Sequence, residues 1–304
     1  MPDMTGPDKT AEVAGERDFR MESWGRMTWR RFSSHRLAMG GLVVVTLLAL
    51  VAILAPWIAP HLPSELRLDL IVGGQPLGPS LDHPFGTDTL GRDWFSRAIY
   101  GGRVSLSVGL VSMSISIAIG VTMGALAGFY GGVIDNIICR VIDVLMCIPI
   151  FFLILTVNAY VTPSIFNIMA VIGAFGWMGV ARLVRGQLLS LREQEFIEAA
   201  RALGVRDIRI IFRHLLPNAL APVVVAATMG VANAILTESA LSYLGLGVQE
   251  PTSSWGSMLR SAQPYLVQAP WMAIFPGVLI SVTVLALNFM GDGLRDATDP
   301  RLKR

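Results

Sequence analysis

Five stretches of this chain run without a charged side chain: Leu37 to Pro60, Val104 to Ile134, Val144 to Ala181, Leu215 to Thr237 and Ser261 to Gly291. Each is long enough to supply the ~20 apolar residues that a membrane-spanning helix needs. A soluble core has no place for such runs, and a residue usage of 53% hydrophobic against 15% charged agrees. The Val144–Ala181 run is too long for one helix. Its polar break, Asn158 to Ser164 with Thr162-Pro163-Ser164, predicts a tight turn between two helices. The expected fold class is therefore an all-α membrane protein with six transmembrane helices. The helix before that turn must begin near Ile134, which puts Arg140 and Asp143 at or just inside one membrane face, where they are spaced to pair.

The basic residues orient the bundle. With the N-terminus inside, residues 1–36 carry seven Lys and Arg, 182–213 carry seven, the C-terminal tail four, and Arg140 adds one. Outside lie only Arg67, Arg92, Arg97, Arg103 and Arg260. This asymmetry predicts that both termini and the 182–213 segment are cytoplasmic. The expected layout is a cytoplasmic tail over 1–36, a first span over 37–60, an external loop over 61–103, a five-helix core over 104–291 and a cytoplasmic tail over 292–304. Residues 1–23 lack periodic apolar positions and are expected to be poorly ordered. Trp24, Met27, Trp29 and Phe32 interleave with Arg26, Arg30, Arg31 and Arg36, a pattern suited to the lipid headgroup region rather than to nucleic acid. The first apolar run has no small-residue cleavage site and reads as an anchor.

Between the third and fourth charge-free runs lies an amphipathic insert: Glu198-Ala199-Ala200-Arg201-Ala202-Leu203-Gly204, nine residues, then His214-Leu215-Leu216-Pro217. A period of 3.6 places Phe196, Ala199, Ala200 and Leu203 on one face, and Ile208, Ile211, Phe212 and Leu215 on the continuation. Gly204 suits a helix end, and Pro217 is expected to stop the second helix. The letters and spacing resemble the Glu-Ala-Ala loop of ABC importer permeases, with His214 where that family has an apolar residue. The resemblance implies that residues 192–217 form a coupling loop docking on a cytoplasmic ATPase through Phe196, Glu198, Ala199, Ala200, Arg201, Leu203 and Gly204.

Two further strings resemble the dipeptide and oligopeptide branch of that family. One is Phe85-Gly86-Thr87-Asp88-Thr89-Leu90-Gly91-Arg92-Asp93, where Asp88, Arg92 and Asp93 can pair among themselves and the alternating ligands of a calcium loop are missing. The other is Leu241-Ser242-Tyr243-Leu244-Gly245-Leu246-Gly247-Val248-Gln249, followed by Pro251 and Ser254-Trp255-Gly256. The resemblance implies a permease subunit of a bacterial inner-membrane importer for peptides, with nickel and glycoside relatives of the same branch left open. It implies as partners a second homologous permease, two cytoplasmic ATPase subunits that bind ATP and magnesium, an external substrate-binding protein, lipid and the peptide itself, with no nucleic acid.

Among polar residues inside the runs, Asn233 and Glu238 are the candidates for lining a pathway, because such groups usually face a cavity or a partner. Gly109, Gly120, Gly124 and Gly128, with Ser105, Ser107, Ser112, Ser114 and Ser116, form a small-residue surface suited to close helix packing. Lys9 and Lys303 are the only lysines and neither follows a Gly-rich turn, so no phosphate-cradling loop is present and no cofactor is expected in this chain. No catalytic triad or metal-ligand spacing appears, and Cys139 and Cys147, about 12 Å apart on one helix, are too distant for a disulfide. The rival reading is an ion-coupled secondary transporter, which favours inverted repeats and mid-membrane acids. No clear repeat is visible here.

Overall fold

The computed structural model describes residues 24–67, 69, 71, 76–162 and 164–299. The expectation for residues 1–23 lies outside them. The described residues are helical apart from loops and one isolated bridge between Thr87 and Asp93. A short helix α1 (Trp24–Ser34) leads into α2 (Arg36–Ile53), whose first turn is capped by His35 accepting from the Ala38 amide. A single turn, α3 (Ala55–Ile58), precedes the loop to α4 (Trp94–Tyr130). Then come α5 (Gly132–Met146), α6 (Ile150–Tyr160), α7 (Ile165–Leu191), α8 (Glu195–Ala202), α9 (Asp207–Ile210), α10 (Leu216–Tyr243), α11 (Trp255–Ala262) and α12 (Trp271–Thr298).

Among the described residues five helical stretches are long and apolar enough to cross a membrane: α2, α4, α7, the continuous Asp207–Tyr243 and α12. A sixth span exists if α5 and α6 count as one, and they meet at an angle of 83°. The turn before α7 falls where the polar break predicts it. The sharp bend at Cys147-Ile148-Pro149 does not appear in that reading, although its cause is Pro149. Proline lacks an amide to continue the helix and pushes the residue before it out of the α region. The two cysteines sit in α5 and at its C-cap, and both are free. Asp143 pairs with Arg182 of α7 at 2.6 Å rather than with Arg140. The intrahelical expectation fails because α7 packs close enough to bring its own guanidinium to the carboxylate.

The most extensive packing joins α4 to α7. Gly120 lies against Val180, Gly124 against Ala181 and Val184, and Gly128 against Leu188. Ser112 and Ser116 donate to the carbonyls of Met169 and Gly173, each at 3.0 Å. Gly109 turns instead toward Ile235 and Val231 of α10, while Ser107 and Ser114 are exposed, so the small-residue surface divides between partners. α12 closes the other side, with Gly41 of α2 against the Ala286 backbone and Gly293 against Ala38 and Phe32. Close backbone approach at small residues is how helices gain packing energy where lipid supplies no hydrophobic drive.

A side chain at Gly124 has no room: a Cβ there would lie 2.8 Å from Val184 Cβ and 3.1 Å from Ala181 Cα. Gly124→Val is therefore expected to destabilise the bundle by about 1–3 kcal/mol through overpacking. Gly179→Ala, where nothing lies within 4 Å, should leave it unchanged. Thermal melting in detergent compares the two.

Candidate functional site

The insert between α7 and α10 is two-faced. Ile197 and Ala200 of α8 are buried, as are Ile210, Ile211 and Leu215, and they share a core with Phe129, Val184 and Leu188. On the other side Phe196, Leu203, Ile208 and Phe212 are exposed, Leu203 by 83% and Phe212 by 68%. Glu198, Ala199 and Arg201 are exposed with them, the Arg201 guanidinium lying 5.4 Å from the centre of the Phe129 ring. The single apolar face expected from periodicity is thus split. Ala200 and Ile211 turn inward with Ile197, and Ala200 belongs to the fold rather than to an outer surface. A short amphipathic helix lying on a bundle must bury one stripe, and here that stripe is centred on Ile197.

Gly204 has φ of +73°, the left-handed conformation that a side chain resists. It closes a Schellman motif: Val205 donates to the Ala200 carbonyl at 3.1 Å and Gly204 to that of Arg201 at 2.9 Å. Pro217 does not end the following helix. The chain widens into a π-turn over Ile211–Leu215, with Leu216 donating to Ile211, and continues into α10. Pro217 falls in the first turn of α10, where proline is tolerated, and the wide turn before it lets the helix continue, so the stop expected from Pro217 is absent.

A half-open cavity of about 340 Å³ lies between α4, α6, α7 and α10. Ser112 and Ser116, Ile150 and Ile154, Gly176 and Gly179, and Asn233 and Thr237 contribute to its wall. Asn233 is exposed there, whereas Glu238 is absent from the wall and wholly buried. Beside α5, Arg185 pairs bidentately with Asp135, one contact at 2.7 Å.

A third polar region caps the opposite end of α4. Asp93 caps that helix by accepting from Ser96, and its other oxygen meets His83 Nδ1 at 2.9 Å. Asp88 accepts from the Leu90 and Arg92 amides and binds the Arg92 side chain at 2.6 Å. Arg92 and the fully buried Arg97 both reach Glu250, at 2.6 and 2.8 Å. The Asp88–Arg92 pairing is the one expected from sequence. Asp93 pairs instead with His83, ten residues back in the same loop, and Glu250 and Arg97 carry no local signal, since they meet only when the loop after α10 folds back onto α4. Burial alone would push the Glu250 carboxyl upward, but hydrogen bonds and charge from Arg92 and Arg97 hold it below the usual range. Burial disfavours the Arg92 cation in the same way, and Glu250 and Asp88 reverse that, raising it.

A depressed carboxyl contributes stability above its unfolded pKa and loses it as pH falls through the folded one. The contribution of Glu250 should therefore be constant through neutral pH and fade only below about 4.3, the ordinary value for glutamate. Melting temperatures of the wild type and Glu250→Gln should differ by a constant amount from pH 6 to pH 8 and converge in acid. A difference that grows on acidification would contradict this arrangement.

Comparison with known proteins gives consistent results. The family described as binding-protein-dependent transport system inner membrane component matches residues 120–304, and the N-terminal TM domain of oligopeptide transport permease C matches residues 23–75. The dipeptide transport system permease protein DppC of Alkalihalophilus pseudofirmus is 42% identical, covering 91% of this chain and 90% of its own. The oligopeptide transport system permease protein OppC of Bacillus subtilis is 40% identical over 90% of this chain and 88% of its own. The glutathione transport system permease protein GsiD of Escherichia coli O6:H1 is 45% identical over 90% of each. Among solved structures, an inward-facing MetNI methionine ABC transporter shares the fold, with a TM-score of 0.56 and 21% identity, covering 67% of this chain and 98% of that one. The chain belongs to the binding-protein-dependent transport system inner membrane component family and is a multi-pass protein of the bacterial plasma membrane.

Proposed function

We propose that this chain is one of two homologous permeases of an ATP-driven importer for di- or oligopeptides, forming half of the translocation pathway around the cavity at Asn233. The observation that carries this reading is the two-faced insert. Its inner stripe is rooted in the bundle, and its outer stripe of Phe196, Leu203, Ile208 and Phe212 stands exposed beside Glu198 and Arg201. A solvent-facing apolar patch rimmed by charge is what a docking surface presents. ATP hydrolysis then belongs to a separate cytoplasmic partner. The substrate class follows from relatives named for dipeptide, oligopeptide and glutathione transport. Substrate is delivered by an external binding protein, and the bent α5–α6 pair counts as one of six spans with both termini cytoplasmic.

Co-expression with a second homologous permease, a candidate ATPase and a candidate external binding protein, purification in mild detergent and uptake in liposomes tests the reading. ATP-dependent peptide uptake that needs all components supports it. Uptake by this chain alone, driven by an ion gradient, overturns it in favour of a secondary transporter, and competition by nickel or a glycoside in place of peptide would revise the substrate.

Leu203→Asp and Phe212→Asp should each weaken ATPase co-purification about tenfold or more while leaving the melting temperature unchanged, because both side chains are exposed. Ala200→Trp should instead reduce the amount of folded protein, since its side chain enters the core. Gly204→Val should cost of order 1–3 kcal/mol of local strain and abolish uptake.

Topology is checked by cysteine labelling in a background with Cys139 and Cys147 replaced by serine. Leu203→Cys should react only from the cytoplasm and Leu81→Cys, fully exposed, only from outside.

A further inference from the structure

Glu238 is an acid without a base. Its side chain is wholly buried, and among the described residues no lysine, arginine or histidine pairs with it. Hydroxyls take the place of a cation. Ser242 Oγ donates to Glu238 Oε1 at 2.6 Å, while Ser105 Oγ and Ser239 Oγ lie 3.3 and 3.5 Å from Oε2. These hydroxyls are themselves acceptors: the Val248 amide and Ser254 Oγ donate to Ser242 Oγ at 3.0 and 3.4 Å, and the Trp255 amide donates to Ser105 Oγ at 3.2 Å. A serine that accepts from a backbone amide still has one proton to give, and in each case the carboxylate receives it.

The consequence is mechanical. Through these bonds Glu238 and the two serines it holds tie α10 to α4 at Ser105, to the following loop at Val248, and to the start of α11 at Ser254 and Trp255. The contact is close. A Cβ at Gly256 would lie 2.5 Å from Ser239 Cα, and one at Gly101 would lie 3.3 Å from the Ser254 backbone. The Trp255 indole, 2% exposed, donates to the Ala98 carbonyl of α4 at 3.0 Å. Ser253 donates to the carbonyl of Arg97, which joins this knot to the Arg92–Glu250 cluster.

The other end of the same helix is the insert. Helical structure is continuous from Asp207 through the π-turn to Tyr243, about 55 Å at 1.5 Å per residue. Asn233 and Thr237 of the cavity wall lie on this rod just before Glu238. A displacement of the insert carries Asn233 and Thr237 with the rod, but it moves α4 and α11 at the far rim only if the rod is fastened to them. Without the fastening, the end of α10 slides past α4 and α11 and the rim stays behind.

We propose that Glu238 is a positioning residue for transport, fastening the outer end of α10 to α4 and α11 so that movement of the 192–217 insert shifts the outer rim of the cavity as one body. This rests on the reading of the chain as a permease driven by a separate ATPase. The buried carboxyl group is suited to the task because it holds Ser242 of its own helix and Ser105 of α4 together, the two hydroxyls that in turn accept from Val248, Ser254 and Trp255, and leaving those groups unpaired in a dry site is costly.

The test uses the complete reconstituted transporter in liposomes, with peptide uptake and ATP hydrolysis measured on the same preparation. The readout is peptide moved per ATP hydrolysed, which a loss of folded protein does not change. Glu238→Ala should lower this ratio about tenfold, with ATP hydrolysis continuing. Glu238→Gln, which keeps the shape and one acceptor oxygen, should recover part of it. Should Glu238→Ala fail to assemble, Ser105→Ala, which removes the bond to Glu238 and the acceptor of the Trp255 amide, and Ser254→Ala, which removes the bond to Ser242 together with the cap of α11, decide the matter while keeping the acid, with an expected fall of about threefold. Uptake and hydrolysis falling together, or a ratio unchanged in both serine variants, would overturn the proposal. A wild-type preparation without ATP-dependent uptake would overturn the permease reading itself, a separate outcome visible before any variant is made.

Discussion

In a bilayer, a helix bundle has no water to satisfy stray polar groups and no hydrophobic drive between helices, so its organisation depends on how closely backbones approach. The α4–α7 seam at Gly120, Gly124 and Gly128 supplies that approach, and the serine hydroxyls of Ser112 and Ser116 spend their protons on carbonyls across it. The other elements are arranged around this pair. α10 leans on α4 at Gly109, α2 and α12 close the far side, and the insert packs Ile197 and Leu215 against the end of the seam at Phe129 and Leu188.

The two ends of the molecule solve different problems. At the insert, apolar side chains are divided between a buried stripe and an exposed one, because the segment must both belong to the bundle and offer a surface. At the far end, charged and polar groups are drawn inward and paired: Arg92 and Arg97 on Glu250, Asp93 on His83, Glu238 on its serines. Truncating one partner of such a set strands the others, which makes this region sensitive to single substitutions and rigid as a unit. Between them, α10 runs unbroken past the cavity, so geometry joins the exposed surface at one end to the polar knot at the other.

A left-handed glycine turns the chain within the insert and a π-turn joins the insert to α10, and each has a local cause. Gly204 permits the Schellman close of α8, and the wide turn before Pro217 lets the chain pass through a proline without losing its direction. An ordinary helical stop at Pro217 would have separated the insert from α10 and left the two ends mechanically independent.

Much of this was legible in residue order. Charge-free runs mark spans because a helix crossing lipid must be apolar along its length, and Gly204, the Thr162–Ser164 turn and the glycines of α4 announce themselves through backbone freedom and size. Other features depended on which surfaces meet. Periodicity gives the apolar residues of α8 but not the rotation that buries Ala200 and exposes Leu203, since both lie within the same broad stripe and only the bundle selects its centre. Asp143 has a basic neighbour at helical spacing, yet α7 brings a better-placed one. Glu238 reads as a polar residue near a span end, whereas its burial among Ser105, Ser242 and Ser254 comes from segments far apart in the chain. Sequence by itself determined which stretches are helical and apolar, because those properties are local. The tertiary structure decided which polar groups are satisfied by whom, because hydrogen bonds between distant segments exist only after the backbones have come together.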